Sequence, residues 1–129
     1  MDIKKKKILI VDDEEGFTEM VKFNLEAAGG YEVRTENKGA KALDSALEYR
    51  PDLILLDVIM PDAEGPDVVN QIRNNRFLKN TPVVFLTATI RKDEVDQEKG
   101  RVGGYAFLAK PGTIQELIEC IEKQLASKN

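Results

Sequence analysis

The stretch Leu53-Ile54-Leu55-Leu56-Asp57 is a continuous apolar run that stops at one carboxylate. A run that is apolar at every position, rather than at alternate positions, is typical of a strand buried on both faces of a parallel sheet. Three further apolar runs are followed by polar groups: Ile8–Val11 by Asp12 and Asp13, Val83–Leu86 by Thr87, and Tyr105–Ala109 by Lys110. Because the carboxyl ends of parallel strands share one edge, we expect these polar side chains to converge there.

Segments with helical periodicity separate these runs. The predicted helices are Glu15–Ala28, Lys38–Tyr49, Asp67–Asn75, Asp93–Lys99 and Thr113–Ala126, and Tyr31–Thr35 is a further strand. The stripe expected to face the sheet in the first helix is Phe17, Met20, Val21, Asn24, Leu25 and Ala28, and Thr113 with Glu116 predicts a capping box. Five strand-helix units with right-handed crossovers predict an α/β fold with a parallel sheet covered on both faces. The alternating Tyr31–Thr35 suits an edge strand.

Length and composition narrow the classes of function. The 129 residues suit a single domain with an ordered core over about residues 6–126, and the net charge of −4 argues against nucleic acid as a direct partner. Apolar stretches fall short of the ~20 residues that span a membrane, and the single cysteine, Cys120, excludes an internal disulfide, so we expect a cytoplasmic protein. The absence of histidine excludes catalytic triads and histidine-ligated metal sites, which leaves carboxylates, hydroxyls and lysine.

The polar strand ends predict a site for a divalent cation and a phosphoryl group. Two unit charges ~4 Å apart repel by ~4 kcal/mol at an effective dielectric near 20, so Asp12, Asp13 and Asp57 need a cation among them. Mg²⁺ suits hard oxygen ligands and commonly shares its shell with phosphate, with Mn²⁺ as the other candidate. Lys110 supplies a second positive charge. Asp57 is the best-placed nucleophile, and a carboxylate that attacks phosphorus gives an aspartyl phosphate.

These residues resemble a known family, the receiver domains of two-component response regulators. The motifs that carry the resemblance are Ile8-Leu9-Ile10-Val11-Asp12-Asp13-Glu14, Asp57-Val58-Ile59-Met60-Pro61 with Gly65 beyond, Thr81-Pro82-Val83-Val84-Phe85-Leu86-Thr87-Ala88, and Lys110-Pro111. Their order and spacing fit the family over essentially the whole chain. The resemblance implies a doubly wound, flavodoxin-like (βα)5 fold with strand order 2-1-3-4-5.

The resemblance also implies a role for each site residue. Asp57 would accept a phosphoryl group from a phosphohistidine on a sensor histidine kinase or phosphotransfer protein. Asp13, Asp57 and the backbone carbonyl of Ile59 would ligate Mg²⁺, with Asp12 acting mainly through a metal-bound water. Thr87 and Lys110 would contact the phosphoryl oxygens, Ala88 would stay small to leave room for them, and Lys110-Pro111 would be a cis peptide.

Several positions depart from the usual pattern of the family. Phe107 stands where a switch aromatic, more usually Tyr, is coupled to the movement of Thr87; the alternative is that Phe107 is a permanent core residue of an edge strand. Pro66 and Gly112 replace the more usual apolar residues after Gly65 and Pro111. Ile59 and Thr89 occupy positions that in the family influence how readily water reaches the phosphoryl group. Because Ile59 offers no group to orient water, we expect slow to intermediate dephosphorylation.

Other classes of protein remain as alternatives. A metal-dependent phosphatase or phosphotransferase would carry an Asp-x-Asp motif after the first strand, whereas Asp13 is followed by Glu14 and Glu15. A nuclease-like or topoisomerase-like site would carry Asp-x-Asp after a later strand, where Asp57-Val58-Ile59 stands instead. A flavodoxin-like cofactor domain would need a phosphate loop rich in Ser, Thr and Gly. The last alternative is a receiver-like binding module that is never phosphorylated.

The resemblance implies a signalling switch rather than an enzyme. No DNA-binding or catalytic segment is evident after the last predicted helix, so we expect the output to be a protein-protein interaction, with a phosphorylation-dependent dimer as one form of it. The face expected to contact the target consists of Arg91, Lys92, Val95, Phe107 and the exposed side of the last helix.

Overall fold

The computed structural model describes residues 4–87, 101–102, 105–110 and 112–126. The longer strands are β1 (Lys6–Val11), β2 (Tyr31–Glu36), β3 (Leu53–Asp57), β6 (Val83–Thr87) and β8 (Tyr105–Ala109), and three two-residue strands are β4 (Ile59–Met60), β5 (Ala63–Glu64) and β7 (Arg101–Val102). The helices in this part of the chain are α1 (Glu15–Ala28), α2 (Ala42–Tyr49), α3 (Gly65–Arg73) and α4 (Ile114–Ala126), with a 3-10 turn at Gly39–Lys41 before α2. None of these helices combines the length and the apolar content that a membrane crossing requires.

The sheet has the predicted parallel architecture. Its order is β2-β1-β3-β6-β8-β7, so the five longer strands follow the order second, first, third, fourth, fifth, and all of their pairings are parallel. The placement of β2 at the edge is also confirmed. At the other edge β7 pairs antiparallel with β8, so β8 is an inner strand rather than the expected edge strand. The added pairing occupies backbone groups that β8 would otherwise expose to solvent.

The central strands are buried on both faces, and their alternate side chains feed two separate cores. On one face Ile8, Ile10, Leu53 and Leu55 pack with Val21 and Leu25 of α1 and with Leu117 and Ile121 of α4. On the other face Leu9, Val11, Ile54 and Leu56 pack with Ala42 and Ala46 of α2 and with Val68, Val69 and Ile72 of α3. Each fully buried Leu or Ile side chain contributes roughly 1.5–3 kcal/mol to the stability of the folded state. Both layers therefore hold β1 and β3 firmly; Asp12 directly follows β1, and Asp57 is the last residue of β3.

The helix bounds agree in part with those predicted from the sequence. The bounds Glu15–Ala28 are confirmed, and the capping box at the start of α4 is formed by Thr113 and Glu116, whose side chains each accept the other's backbone N–H at 3.0 Å. The expected stripe of α1 is wrong at Met20, which is 45% exposed, and at Ala28, which is also exposed, because the buried positions are Thr18, Val21 and Leu25. The third helix is Gly65–Arg73 rather than Asp67–Asn75, and Asp93–Lys99 lies outside the described residues.

Two charged side chains of α1 cover the open edge of β2. Lys22 Nζ donates to the Val33 carbonyl at 2.9 Å, and Glu26 Oε2 accepts the Val33 N–H at 3.0 Å. The same two side chains form an ion pair with one another at 3.1 Å. An open strand edge is a template for pairing with another chain, so this contact protects β2 while it fixes α1 against the sheet.

We expect Glu26→Ala to lower the free energy of unfolding at neutral pH and to have a smaller effect in acid. The hydrogen bond from Val33, followed by the contact with Lys22, holds the Glu26 pKa below its ordinary value. A lowered pKa in the folded state contributes stability that is full above the unfolded pKa of about 4.3 and is lost as the pH falls through the folded pKa. Urea denaturation across that pH range measures the difference, with Glu19→Ala, on the exposed part of the same helix, as the control. A difference that stays constant through the acid range would contradict this account.

Candidate functional site

Asp12 and Asp13 extend from the carboxyl end of β1. The backbone of Asp12 is fixed on the side of β2, since its N–H donates to the Glu36 carbonyl at 3.0 Å and its carbonyl accepts a hydrogen bond from the Asn37 side-chain amide at 2.9 Å. The Asn37 amide also contacts the hydroxyl of the buried Thr18 at 3.0 Å. Asp12 is completely buried, whereas Asp13 is exposed. One carboxylate of the pair therefore faces the protein interior and the other is open to solvent.

Asp57 is the last residue of β3, between β1 and β6. It pairs with Leu86 of β6, and the next residue continues the ladder because the Val58 N–H donates to the Leu86 carbonyl at 3.1 Å. Asp57 is 7% exposed, so its carboxylate, at the carboxyl end of a central strand, has little access to solvent. The rigid central strand fixes this position better than a loop would.

The three aspartates form one acidic cluster. One carboxylate oxygen from each of Asp12, Asp13 and Asp57 lies within 4.8 Å of the other two. At such distances the charges repel by several kcal/mol unless a cation offsets them. The cluster supplies only hard oxygen donors and leaves one carboxylate open to solvent, which is the chemistry that Mg²⁺ and similar divalent cations prefer. The residues present therefore fit a metal ion of this class.

Lys110 brings positive charge to the same cluster from the end of β8. Its Nζ lies 2.8 Å from Asp12 Oδ2 and 4.0 Å from Asp57 Oδ2, and its side chain is 9% exposed. Burial acts to lower the Lys110 pKa, but hydrogen bonds to Asp12 and Glu14, with the nearby charges of Asp12 and Asp57, outweigh it and hold the pKa above its ordinary value. The ammonium is therefore charged, and it lies closer to the buried carboxylate of Asp12 than to that of Asp57.

Lys110 also contacts two residues that are not among the predicted site residues. Glu14 Oε1 lies 2.6 Å from Lys110 Nζ, and the Phe17 ring centroid lies 4.7 Å from the same atom. An ammonium over an aromatic face gains a further favourable interaction. In the sequence, the position of Glu14 directly after Asp12-Asp13 could have indicated that it lies near the site. The position of Phe17 in the first turn of α1 could have indicated the same for its ring.

The remaining predicted site residues are described to different extents. Thr87 is the last residue of β6 and pairs with Ala109, next to Lys110, and Ile59 begins the short hairpin after Asp57. Phe107 is buried in β8, with its ring centroid 5.1 Å from that of Phe85, so it is a core residue of an inner strand in this conformation. Outside the described residues lie Pro111, and with it the predicted cis peptide, as well as Ala88, Thr89, Arg91, Lys92 and Val95.

The loop after Asp57 is fixed at its base and at its tip. The Gly65 N–H donates to the Val58 carbonyl at 2.7 Å, which closes the hairpin against the strand that carries Asp57. At the hairpin tip the Asp62 carboxylate accepts the N–H groups of Gly39 and Ala40 at 3.1 and 2.9 Å. These hydrogen bonds, that from Ala40 first, hold the Asp62 pKa below its ordinary value. The loop is thereby joined to the turn that begins α2.

Comparison with known proteins gives a consistent result. Residues 8–122 match the family model of the response regulator receiver domain. The chain is 37% identical over 121 residues to the polar-differentiation response regulator DivK of Brucella anthropi, covering 93% of this chain and 96% of that protein. Among solved structures it resembles the chemotaxis protein CheY4 of Vibrio cholerae (TM-score 0.79, 33% identity, 93% and 98% of the chains covered). A putative response regulator of Chloroflexus aurantiacus is equally similar (TM-score 0.80, 33% identity, 95% and 99% covered).

We expect Gly65→Ala to disturb the loop after Asp57. A Cβ at this buried position would lie 2.9 Å from Val58 Cα, 3.0 Å from the Val58 carbonyl oxygen and 3.1 Å from the Asp57 carbonyl oxygen. Because backbone atoms must move to relieve these contacts, the variant should lose about 1–3 kcal/mol of unfolding free energy. Gly16→Ala is the matched control, since a Cβ there meets nothing within 4 Å and helix propensity favours Ala by up to about 1 kcal/mol. Equal unfolding midpoints for the two variants in urea would contradict the assignment of Gly65.

Proposed function

The chain belongs to the family of response regulator receiver domains, and on that basis we propose that it is a Mg²⁺-dependent phosphorylation switch whose phosphoacceptor is Asp57. The convergence of three carboxylates within 4.8 Å, joined by the Lys110 ammonium, supports this proposal most strongly. Phosphoryl transfer needs a fixed nucleophile and positive charge around the phosphoryl oxygens, and this arrangement supplies both. The switch acts as a signalling component rather than as an enzyme with turnover.

In the proposed reaction Asp57 is the nucleophile. A carboxylate oxygen of Asp57 forms a bond to the phosphorus of a phosphohistidine on a partner kinase or phosphotransfer protein. The bond from phosphorus to the donor imidazole nitrogen breaks, and its electron pair stays on that nitrogen. The product is an aspartyl phosphate. The partner supplies the imidazole, since this chain contains no histidine.

Charge neutralisation is divided between a metal ion and Lys110. Asp12, Asp13 and Asp57 would hold Mg²⁺, with the Ile59 carbonyl as a further ligand by resemblance to the family. When bound, Mg²⁺ offsets the repulsion among the carboxylates and the phosphoryl oxygens. The Lys110 ammonium pairs with a phosphoryl oxygen from the β8 side, starting 4.0 Å from Asp57. The two positive charges thus approach the phosphoryl group from different strands.

The proposed output is a shift between two conformations. Thr87 ends β6 beside Ala109 of β8, so a contact between Thr87 and the phosphoryl group would act at the point where these strands meet. Phe107, packed against Phe85, is the proposed switch aromatic. A protein target binds one arrangement better than the other and so reads the phosphorylation. We place this exchange in the cytoplasm, where the thiol of Cys120 stays reduced.

We expect the wild-type chain to gain the mass of one phosphoryl group when it is incubated with acetyl phosphate and Mg²⁺. Asp57→Asn should abolish the gain, because the amide nitrogen and oxygen cannot replace the carboxylate nucleophile. Asp44→Asn, on the exposed part of α2, is the charge-matched control and should be labelled like the wild type. Intact-protein mass spectrometry measures the outcome. Hydrolysis of a generic phosphate ester with Asp57 left unmodified would instead favour the phosphatase alternative.

We expect Mg²⁺ to stabilise the folded chain through the acidic cluster. A ligand that binds only the folded state adds about 2.7 kcal/mol to the unfolding free energy at a hundred times its Kd. Asp13→Asn should weaken this Mg²⁺ effect, and in the absence of Mg²⁺ it should raise stability slightly by relieving repulsion. Urea denaturation with and without Mg²⁺ measures both effects, with Asp44→Asn as the control. The same Mg²⁺ effect in Asp13→Asn and the wild type would show that the ion binds elsewhere.

A further inference from the structure

Lys110 is shared by three carboxylates at unequal distances. Its Nζ lies 2.6 Å from Glu14, 2.8 Å from Asp12 and 4.0 Å from Asp57. An ammonium group has three N–H donors, and its two closest contacts here are to Glu14 and Asp12. The lysine is therefore held on the side of β1 and α1, away from the carboxylate that is the proposed phosphoacceptor.

The two short contacts differ in how easily they can be released. Asp12 is completely buried, so separating it from Lys110 would leave a buried charge without its counter-ion. The Glu14 side chain is 61% exposed, so water can replace Lys110 at its carboxylate at little cost. The contact of Lys110 to Glu14 therefore costs less to break than its contact to Asp12.

The carboxylate of Glu14 has no structural task in the helix that follows. Glu14 is the N-cap residue of α1, but its side chain makes no capping hydrogen bond. Its backbone is fixed, because the Glu14 N–H donates to Asp12 Oδ1 at 2.9 Å. A fixed backbone with an exposed side chain that reaches Lys110 is suited to holding the lysine in one state and releasing it in another.

We propose that Glu14 is a positioning residue that holds Lys110 back from Asp57 before phosphorylation and releases it when the phosphoryl group arrives. This inference rests on the proposed function of Asp57. During transfer Lys110 exchanges the Glu14 carboxylate for a phosphoryl oxygen and keeps its contact with Asp12. Although the ammonium has a third donor, it lies 4.0 Å from Asp57, and its movement toward a phosphoryl oxygen lengthens the Glu14 contact; that contact therefore opposes transfer, and removing it should speed the uptake of the phosphoryl group.

The test compares three variants with the wild type for the initial rate of phosphoryl incorporation from acetyl phosphate at saturating Mg²⁺. Glu14→Gln removes the charge that holds Lys110. Glu14→Asp keeps the charge, but its side chain is one methylene shorter on the same fixed backbone, and Asp at an N-cap position prefers the N–H groups of the helix. Glu15→Gln is the control, because it makes the same change in net charge at the next residue, which is exposed.

We expect Glu14→Gln and Glu14→Asp to be phosphorylated about two- to fivefold faster than the wild type, the range that an exposed ion pair allows. Glu15→Gln should match the wild type. If Glu14→Gln and Glu15→Gln accelerate phosphorylation equally and Glu14→Asp has no effect, only net charge acts and the inference is overturned. Unchanged rates in all variants would also overturn it. If the wild type itself takes up no phosphoryl group, the proposed function of Asp57 fails, and this inference fails with it.

Discussion

The ion pair between Lys110 and the fully buried carboxylate of Asp12 is the contact on which the site depends. Three carboxylates within 4.8 Å would repel one another strongly without a cation, and a buried carboxylate is costly unless it is paired. Lys110 offsets part of this charge from a different strand, β8. The fold can therefore hold this strongly anionic cluster at the carboxyl ends of its strands.

The double-faced core explains why the pocket is rigid. Alternate residues of β1 and β3 enter separate cores with α1 and α4 on one side and α2 and α3 on the other, so neither strand can slide without exposing apolar side chains. The register of the parallel pairing then fixes where Asp12, Asp57 and Lys110 lie along the strand direction, at the carboxyl ends of the strands. The charges converge because the strands cannot move, and the position of Asp57 as the last strand residue follows from the same constraint.

The sequence predicted this architecture because its apolar runs are continuous and the polar residue after each run marks a strand end. The convergence of Asp12, Asp57 and Lys110 follows from that rule. Asn37 also follows a strand, β2, but β2 alternates in polarity, so no continuous apolar run marks its end. The position of Glu14 directly after Asp12-Asp13 places it near the site, but no local pattern predicts its contact with Lys110, which is 96 positions away. The prediction that Met20 faces the sheet is wrong because helical periodicity identifies an apolar stripe but does not show which side of that stripe the sheet covers.

A crystal structure of the chain with Mg²⁺ and beryllofluoride, which mimics an acyl phosphate on a carboxylate, tests the central claim most directly. The account predicts beryllofluoride bonded to a carboxylate oxygen of Asp57, and Mg²⁺ at about 2.0–2.1 Å from oxygens of Asp13 and Asp57. It also predicts that Lys110 contacts the fluoride atoms and Asp12 at the same time. Beryllofluoride on a different carboxylate, or a metal ion bound away from the three aspartates, would contradict it.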